Sequence, residues 1–160
     1  MVKVTLIAVG KIKEKFYTEA VAEYAKRLSA YCTFEVIEVK DEKTPDNPSA
    51  TEKQMVLDRE AERIIAKIPK GAKVITLCVE GKQMTSEEFA AMLSKTAADG
   101  TSKVAFIIGG SMGLSEEVKK LSSFRLSFSE MTFPHMLMRV IFTEQLYRAF
   151  TITEGKTYHK

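Results

Sequence analysis

The 160-residue chain has no tryptophan, two cysteines, two histidines and four prolines. Cys32 and Cys78 stand alone, without the close spacing that gathers zinc ligands or builds a disulfide framework. They read as two buried thiols of a protein kept in a reducing compartment, and no metal site is expected. No apolar run approaches the roughly 18 residues that cross a bilayer, so no membrane partner is expected. The stretch Met1–Gly10 is apolar for too short a distance and lacks a small-residue cleavage site, which predicts a strand rather than a signal peptide. A cytoplasmic location follows as an expectation. Internal repeats, low-complexity tracts and domain-separating linkers are also missing.

What is present is an ordinary globular composition, 45% apolar and 28% charged, of a size that one domain spanning residues 1–160 accommodates. The net charge is +3 and unevenly spread. Residues 119–160 hold Lys119, Lys120, Arg125, Arg139, Arg148, Lys156 and Lys160 against Glu130, Glu144 and Glu154. That excess suits a polyanionic substrate such as RNA, and it also suits a solvated surface.

Apolar patterning predicts strands and helices in alternation. Val2–Val9, Phe34–Val39, Val74–Val79, Lys103–Ile108 and Phe124–Phe128 read as strands. Ile12–Tyr31 reads as a helix with Phe16, Ala20, Val21, Tyr24 and Leu28 on its apolar face. Lys40–Ala50, with Pro45, Asn47 and Pro48, reads as the longest, mobile loop. Thr51 with Gln54 fits a capping box for the helix that follows. Ser86 and Ser115, each followed by two glutamates, predict helix starts at those positions. Pro134 opens a last helix running to about Ile152. Strands separated by helices imply an α/β fold with a mostly parallel sheet covered on both faces.

Two segments point to chemistry. Val104–Ser115 is an apolar run that breaks into a turn containing Gly109, Gly110 and Gly113, between a strand and a helix. Such a turn serves as a plain bend or lets a ligand approach bare backbone beyond a strand end. Met131–Val140 places His135 after a proline and Arg139 four residues on, so both face one way. The last helix is apolar on nearly every side, which predicts burial plus a subunit interface, a homodimer being the simplest assembly. Its methionines read as packing, and Glu144 and Arg148 as an intrahelix ion pair. The tail Lys156–Lys160 is either a frayed end or, through Tyr158 and His159, a contact for a base and its phosphates.

Taken together, Ile-Ile-Gly-Gly-Ser-Met-Gly-Leu-Ser, Leu-Ser-Phe-Ser-Glu-Met-Thr-Phe-Pro-His-Met-Leu-Met-Arg-Val, Glu-Gln-Leu-Tyr-Arg-Ala and the closing Tyr-His-Lys resemble one family. It is the ribosomal RNA large subunit methyltransferase H family, the 23S rRNA (pseudouridine-1915-N3)-methyltransferases of the SPOUT superfamily. The resemblance runs from the opening Val-Lys-Val-Thr-Leu-Ile-Ala-Val-Gly-Lys to the last residue. It implies a SPOUT fold with a C-terminal trefoil knot, which general rules of chain topology would exclude, and a homodimer. It also implies S-adenosylmethionine as methyl donor and, as acceptor, N3 of a pseudouridine in 23S rRNA of the assembled 70S ribosome. By position, the donor site would comprise Leu77, Gly109 and the run Phe128, Ser129, Glu130, Met131, Thr132 and Phe133.

On this basis His135 is expected to orient the substrate or the catalytic loop. Arg139 and Arg148 would contact RNA phosphate, and Tyr158 and His159 would reach the target base. One rival is a non-catalytic ribosome-binding protein of the same fold. Another is a nicotinamide-dependent oxidoreductase with Glu130 as its ribose contact. The late glycine turn and the lack of a second substrate domain fit the second rival poorly.

Overall fold

A computed structural model describes residues 1–160. Five strands form one sheet: β1 (Lys3–Val9), β2 (Thr33–Val39), β3 (Lys73–Gln83), β4 (Lys103–Ile108) and β5 (Phe124–Ser127). Five helices connect or follow them: α1 (Lys15–Leu28), α2 (Ala50–Ile65), α3 (Ser86–Ala98), α4 (Glu116–Leu121) and α5 (His135–Thr153). The strand order is β2-β1-β4-β3-β5, and every neighbouring pair is parallel. All five strands therefore end at one edge of the sheet. Parallel strands need covered faces, and successive side chains of β1 divide between them. Val4, Leu6 and Ala8 enter a core with Leu28 of α1, Phe89 of α3 and Phe142 and Leu146 of α5. Ile7 and Val9 enter the opposite core, with Ala61 and Ile64 of α2 and Val118 of α4. No helix is long and apolar enough to cross a membrane. Cys32 is buried and free, and burial pushes its thiol up to about 12.

Local boundaries differ from the sequence pattern for identifiable reasons. α2 is capped by Ser49, not Thr51: Ser49 Oγ accepts the Glu52 N–H at 3.1 Å and Glu52 Oε1 accepts the Ser49 N–H at 3.1 Å. Two overlapping capping boxes compete there. The one with a carboxylate in the first turn gains from the helix dipole, which the Gln54 amide does not. In α3 the cap is Thr85, boxed with Glu88, so Ser86 is the first helical residue. The expected mobile loop after β2 is tied to α2 instead. Glu42 pairs with Arg59 at 3.1 Å and with Arg63 at 2.6 Å, and its N–H donates to Glu60. α1 begins at Lys15 rather than Ile12, and the Ile12 N–H before it donates to Glu38 at 3.1 Å. Phe16, expected on the apolar face of that helix, is 63% exposed.

β3 departs most from its predicted form. It extends to Gln83, past the predicted end at Val79, but its pairing with β5 jumps from Leu77 to Lys82. Cys78–Gly81 thus leave the ladder as a bulge at the carboxyl edge of the sheet. Gly81 makes that bulge possible, since a Cβ there would meet the Arg125 carbonyl oxygen at 2.7 Å.

Candidate active site

The strand ends open onto a cavity of about 250 Å³. Three chain segments converge on it: Leu77–Glu80 where β3 bulges, Ile108–Leu114 after β4, and Phe128–Phe133 after β5, with His135 and Met138 of α5 beside them. This is where an open α/β sheet presents backbone groups that no neighbouring strand occupies. Leu77, Ile108, Leu126, Phe128 and Phe133 supply apolar walls, and Ser129, Thr132, Glu80, Lys119 and His135 supply polar ones.

The turn after β4 is compact: Gly113 N–H donates to the Gly110 carbonyl at 3.0 Å. A Cβ on Gly109 would lie 2.3 Å from the Gly113 carbonyl oxygen. Glycine at 109 is therefore a packing requirement of the turn. The loop after β5 is stiffened by Ser129, whose Oγ accepts the Met131 N–H at 3.0 Å, while its carbonyl accepts from Ser127 Oγ at 3.0 Å.

Of the residues expected at the donor site, Leu77, Gly109, Phe128, Ser129, Met131, Thr132 and Phe133 line the cavity. Glu130 does not: its side chain is exposed outside the wall. It lies between Ser129 and Met131, both of which are in the lining.

His135 and Arg139 share a face of α5, as their spacing predicts, but only His135 reaches the cavity. Burial and the nearby Arg139 charge hold its pKa below the usual range, against the opposing pull of Asp41 and Glu14. Neutral imidazole is thus its resting form at neutral pH.

The expected contact of Arg139 with RNA phosphate is corrected. Its side chain has no exposed surface; Nη1 donates to Glu38 Oε2 at 2.6 Å, and Nη2 donates to the carbonyls of Val9 at 2.9 Å and Gly10 at 2.6 Å. Only Nε lacks a partner. The guanidinium is an internal clamp, holding the start of α5 to the ends of β1 and β2.

The tail is folded, not frayed, and lies away from the cavity lining. Tyr158 donates to Glu144 at 3.0 Å, packs edge-on against Tyr147 and lies under the Arg148 guanidinium, 4.9 Å from its ring centre. Burial and the Glu144 carboxylate push its phenol up to about 12, so it stays protonated. His159 Nδ1 is 3.1 Å from Arg148 Nη1, and its Nε2 is 2.7 Å from Glu87 of α3. Arg148 pairs with Glu144 at 2.5 Å, the intrahelix bond its spacing predicts, and keeps a quarter of its side chain exposed. Within one chain, Arg148, Tyr158 and His159 form a second polar cluster that does not line the pocket.

Several site residues escaped the sequence reading. Lys119 lines the wall and pairs with Glu80, and Cys78 stands beside them. Nothing in their local sequence marks them, because the β3 bulge creates that wall. Glu60 is 5% exposed, and its carboxylate oxygens lie 3.5 and 3.6 Å from where a Gly110 Cβ would sit. Burial raises its pKa. A signal was available for it: Glu60 interrupts the buried stripe Val56–Ile64 at i, i+4 spacing.

Comparison with known proteins defines the class. The family model described as "Predicted SPOUT methyltransferase" matches residues 2–159. Two solved structures share the fold: a probable methyltransferase from Bordetella pertussis Tohama I, with TM-score 0.57 and 13% identity over 93% of this chain and 95% of that one; and a probable methylase family protein from Haemophilus influenzae Rd KW20, with TM-score 0.54 and 13% identity over 99% of this chain and 70% of that one. The ribosomal RNA large subunit methyltransferase H proteins of Bacillus thuringiensis (strain Al Hakam) and Bacillus cereus (strain B4264) are each 54% identical to the chain, over 98% of it and 99% of their own lengths. The chain belongs to the SPOUT methyltransferases and, within them, to the ribosomal RNA large subunit methyltransferase H family. It is an rRNA methyltransferase by family, which removes the oxidoreductase reading.

Removing the Arg139 guanidinium would leave the Val9 and Gly10 carbonyls without their donor and Glu38 with the Ile12 N–H alone. The Arg139→Ala variant is expected to lose roughly 2–4 kcal/mol of stability, mostly from the two unmet carbonyls, read as a lowered urea midpoint. An arginine serving only as an RNA contact would leave that midpoint unchanged.

Proposed function

We propose that the protein transfers a methyl group from S-adenosylmethionine to N3 of a pseudouridine, position 1915 by the family's designation, in 23S rRNA of the assembled 70S ribosome. The observation that carries this reading is the convergence of three strand-end segments on one cavity beside a half-buried histidine whose pKa is held down. The cavity suits the donor chemically. Its apolar walls fit an adenine face, backbone of the glycine turn fits the polar edges, and Lys119 offers a cation for the amino-acid carboxylate. Glu80 at the wall and Glu60 behind Gly110 supply negative charge near a sulfonium.

When bound, the donor supplies an electrophilic methyl group open to in-line displacement, a reaction that needs alignment rather than a metal. The acceptor nitrogen must lose its proton. His135 is the histidine that lines the cavity, and we assign it to receive that proton as well as to orient the base. Phe128 and Phe133 exclude water from the approach. Arg148, Tyr158 and His159 stay in the reading as RNA contacts. Their distance from the cavity of their own chain means that only a second subunit would bring them to a pocket.

The proposal includes the homodimer. It is supported by the half-buried apolar residues Leu137, Val140 and Ile141 on α5, a helix with almost no polar face. It also includes the trefoil threading of the C-terminal segment common to the superfamily, and a cytoplasmic setting.

Incubation with labelled S-adenosylmethionine is expected to label 70S ribosomes at the pseudouridine N3 and free 23S RNA much less; no labelling of either overturns the reading. The Gly109→Ala variant, whose added methyl collides with the turn, is expected to bind S-adenosylmethionine at least tenfold more weakly by calorimetry while keeping its helical circular dichroism. A base must be neutral to accept a proton, so single-turnover methylation is expected to fall as pH drops through the depressed pKa of His135, below about 6.5. In His135→Gln that acid limb should vanish along with most of the rate.

A further inference from the structure

The segment from the end of β1 into the first residues of α1 is used by none of the chemistry above, although it rises from the same edge of the sheet. It reads Lys11-Ile12-Lys13-Glu14-Lys15-Phe16, the last two residues belonging to α1. Lys11, Lys13 and Lys15 are all exposed. Lys11 and Lys13 make no ion pair within 4.0 Å, and Lys15 meets Glu19 only at 3.6 Å, with 88% of its own side chain in solvent. Phe16 follows with 63% exposure, its ring tilted against Tyr17 at 4.3 Å between centroids and otherwise open to solvent, a costly position for a phenyl ring.

The segment is also held in place. Glu38 accepts the Ile12 N–H at 3.1 Å and the Arg139 guanidinium at 2.6 Å, and Arg139 in turn binds the carbonyls of Val9 and Gly10. The base of the loop touches the active site: a Cβ on Gly10 would lie 3.9 Å from His135 Nε2. Two unpaired lysines, a third loosely paired with Glu19, and an exposed aromatic ring are thus mounted beside the histidine of the cavity through the Arg139–Glu38 pair.

We infer that Lys11–Phe16 is a docking surface for ribosomal RNA, with Lys11 and Lys13 on backbone phosphates and Phe16 against an unpaired base. The inference rests on the rRNA-methyltransferase reading and adds where the RNA sits. Charge complementarity selects the partner. The segment carries three cations against Glu14; Glu19 meets Lys15, Glu38 is committed to Arg139 and the Ile12 N–H, and Asp41 lies beside Gly10 at its root. Lysines engage phosphate without reading sequence, and an exposed ring stacks on any base. Contacts of this kind fix register rather than identity. Because Arg139 fixes the loop to α5, the register of the RNA is fixed relative to His135.

The test uses full-length protein and purified 70S ribosomes, with methylation kinetics and salt-dependent ribosome binding measured side by side. Lys11→Ala/Lys13→Ala is expected to raise the KM for ribosomes roughly tenfold and to lower the slope of log affinity against log salt by about two, one per phosphate. Its kcat and its calorimetric affinity for S-adenosylmethionine should stay at wild-type values. Phe16→Ala should raise KM without changing the salt slope. Unchanged KM and slope in the lysine variant, with an active wild type, overturn this inference alone. A wild type that binds ribosomes without methylating them removes the catalytic reading and leaves the salt slope to decide this one. A wild type that neither binds nor methylates them overturns both. A change of subunit mass in Phe16→Ala by light scattering assigns the ring to a subunit contact and overturns its role on RNA.

Discussion

A guanidinium with no access to solvent binds three oxygens at the carboxyl edge of the sheet, and the functional end of the molecule is organised around it. Arg139 belongs to the last helix, while its partners, Val9, Gly10 and Glu38, come from the first two strands, some 100 to 130 residues earlier. Burying an arginine is expensive unless its donors are met, and four of its five N–H groups lie on the two terminal nitrogens that are met here. The clamp determines where α5 starts and how it is rotated. That rotation aims His135 and Met138 at the cavity. The same carboxylate that answers Arg139 also takes the Ile12 N–H, so the loop before α1 moves only if the start of α5 moves with it.

The cavity depends on interruptions in the sheet. β3 leaves its ladder for Cys78–Gly81, the turn after β4 closes tightly through Gly109 and Gly113, and the strand after α4 ends at Ser127. Each interruption frees backbone groups at the same edge. The polar groups at and behind the wall are arranged by charge: Lys119 is answered by Glu80 and Glu116, Glu60 lies behind the glycine turn, and burial together with the Arg139 charge depresses the basicity of His135. Methyl transfer from a cationic donor to a nitrogen requires such a site to orient two reactants and exclude water, and it asks little else of the protein.

Charge on the surface tells a different story from charge in the sequence. The C-terminal excess of lysine and arginine looked like the RNA-facing feature, yet Arg139 is internal, and Arg148 is already paired with Glu144. Tyr158 and His159 are packed against α5 and α3. The cations that are free and close to the cavity lie near the N-terminus instead, in a segment whose pattern had read as the beginning of a helix.

Much of the architecture was legible because it follows from local rules. β-branched runs, apolar residues at helical spacing, and Ser or Thr followed by glutamate give five strands, five helices and their order, with errors of a few residues where two capping boxes overlap and at the start of α1. The glycine turn and the loop Phe128–Phe133 were legible by resemblance, and all but Glu130 of the expected donor residues line the cavity. The sequence by itself determined that this is an α/β chain with a glycine turn late in its length, since backbone propensities and side-chain periodicity act over a few residues. Only the tertiary structure decided that Arg139 is a clamp, that Glu60 and Lys119 border the site, that the tail folds onto α5, and that Phe16 faces solvent. Those outcomes depend on which distant groups meet, and burial, which turns an arginine from a surface cation into a structural cross-link, belongs to the folded arrangement and not to any one stretch of chain.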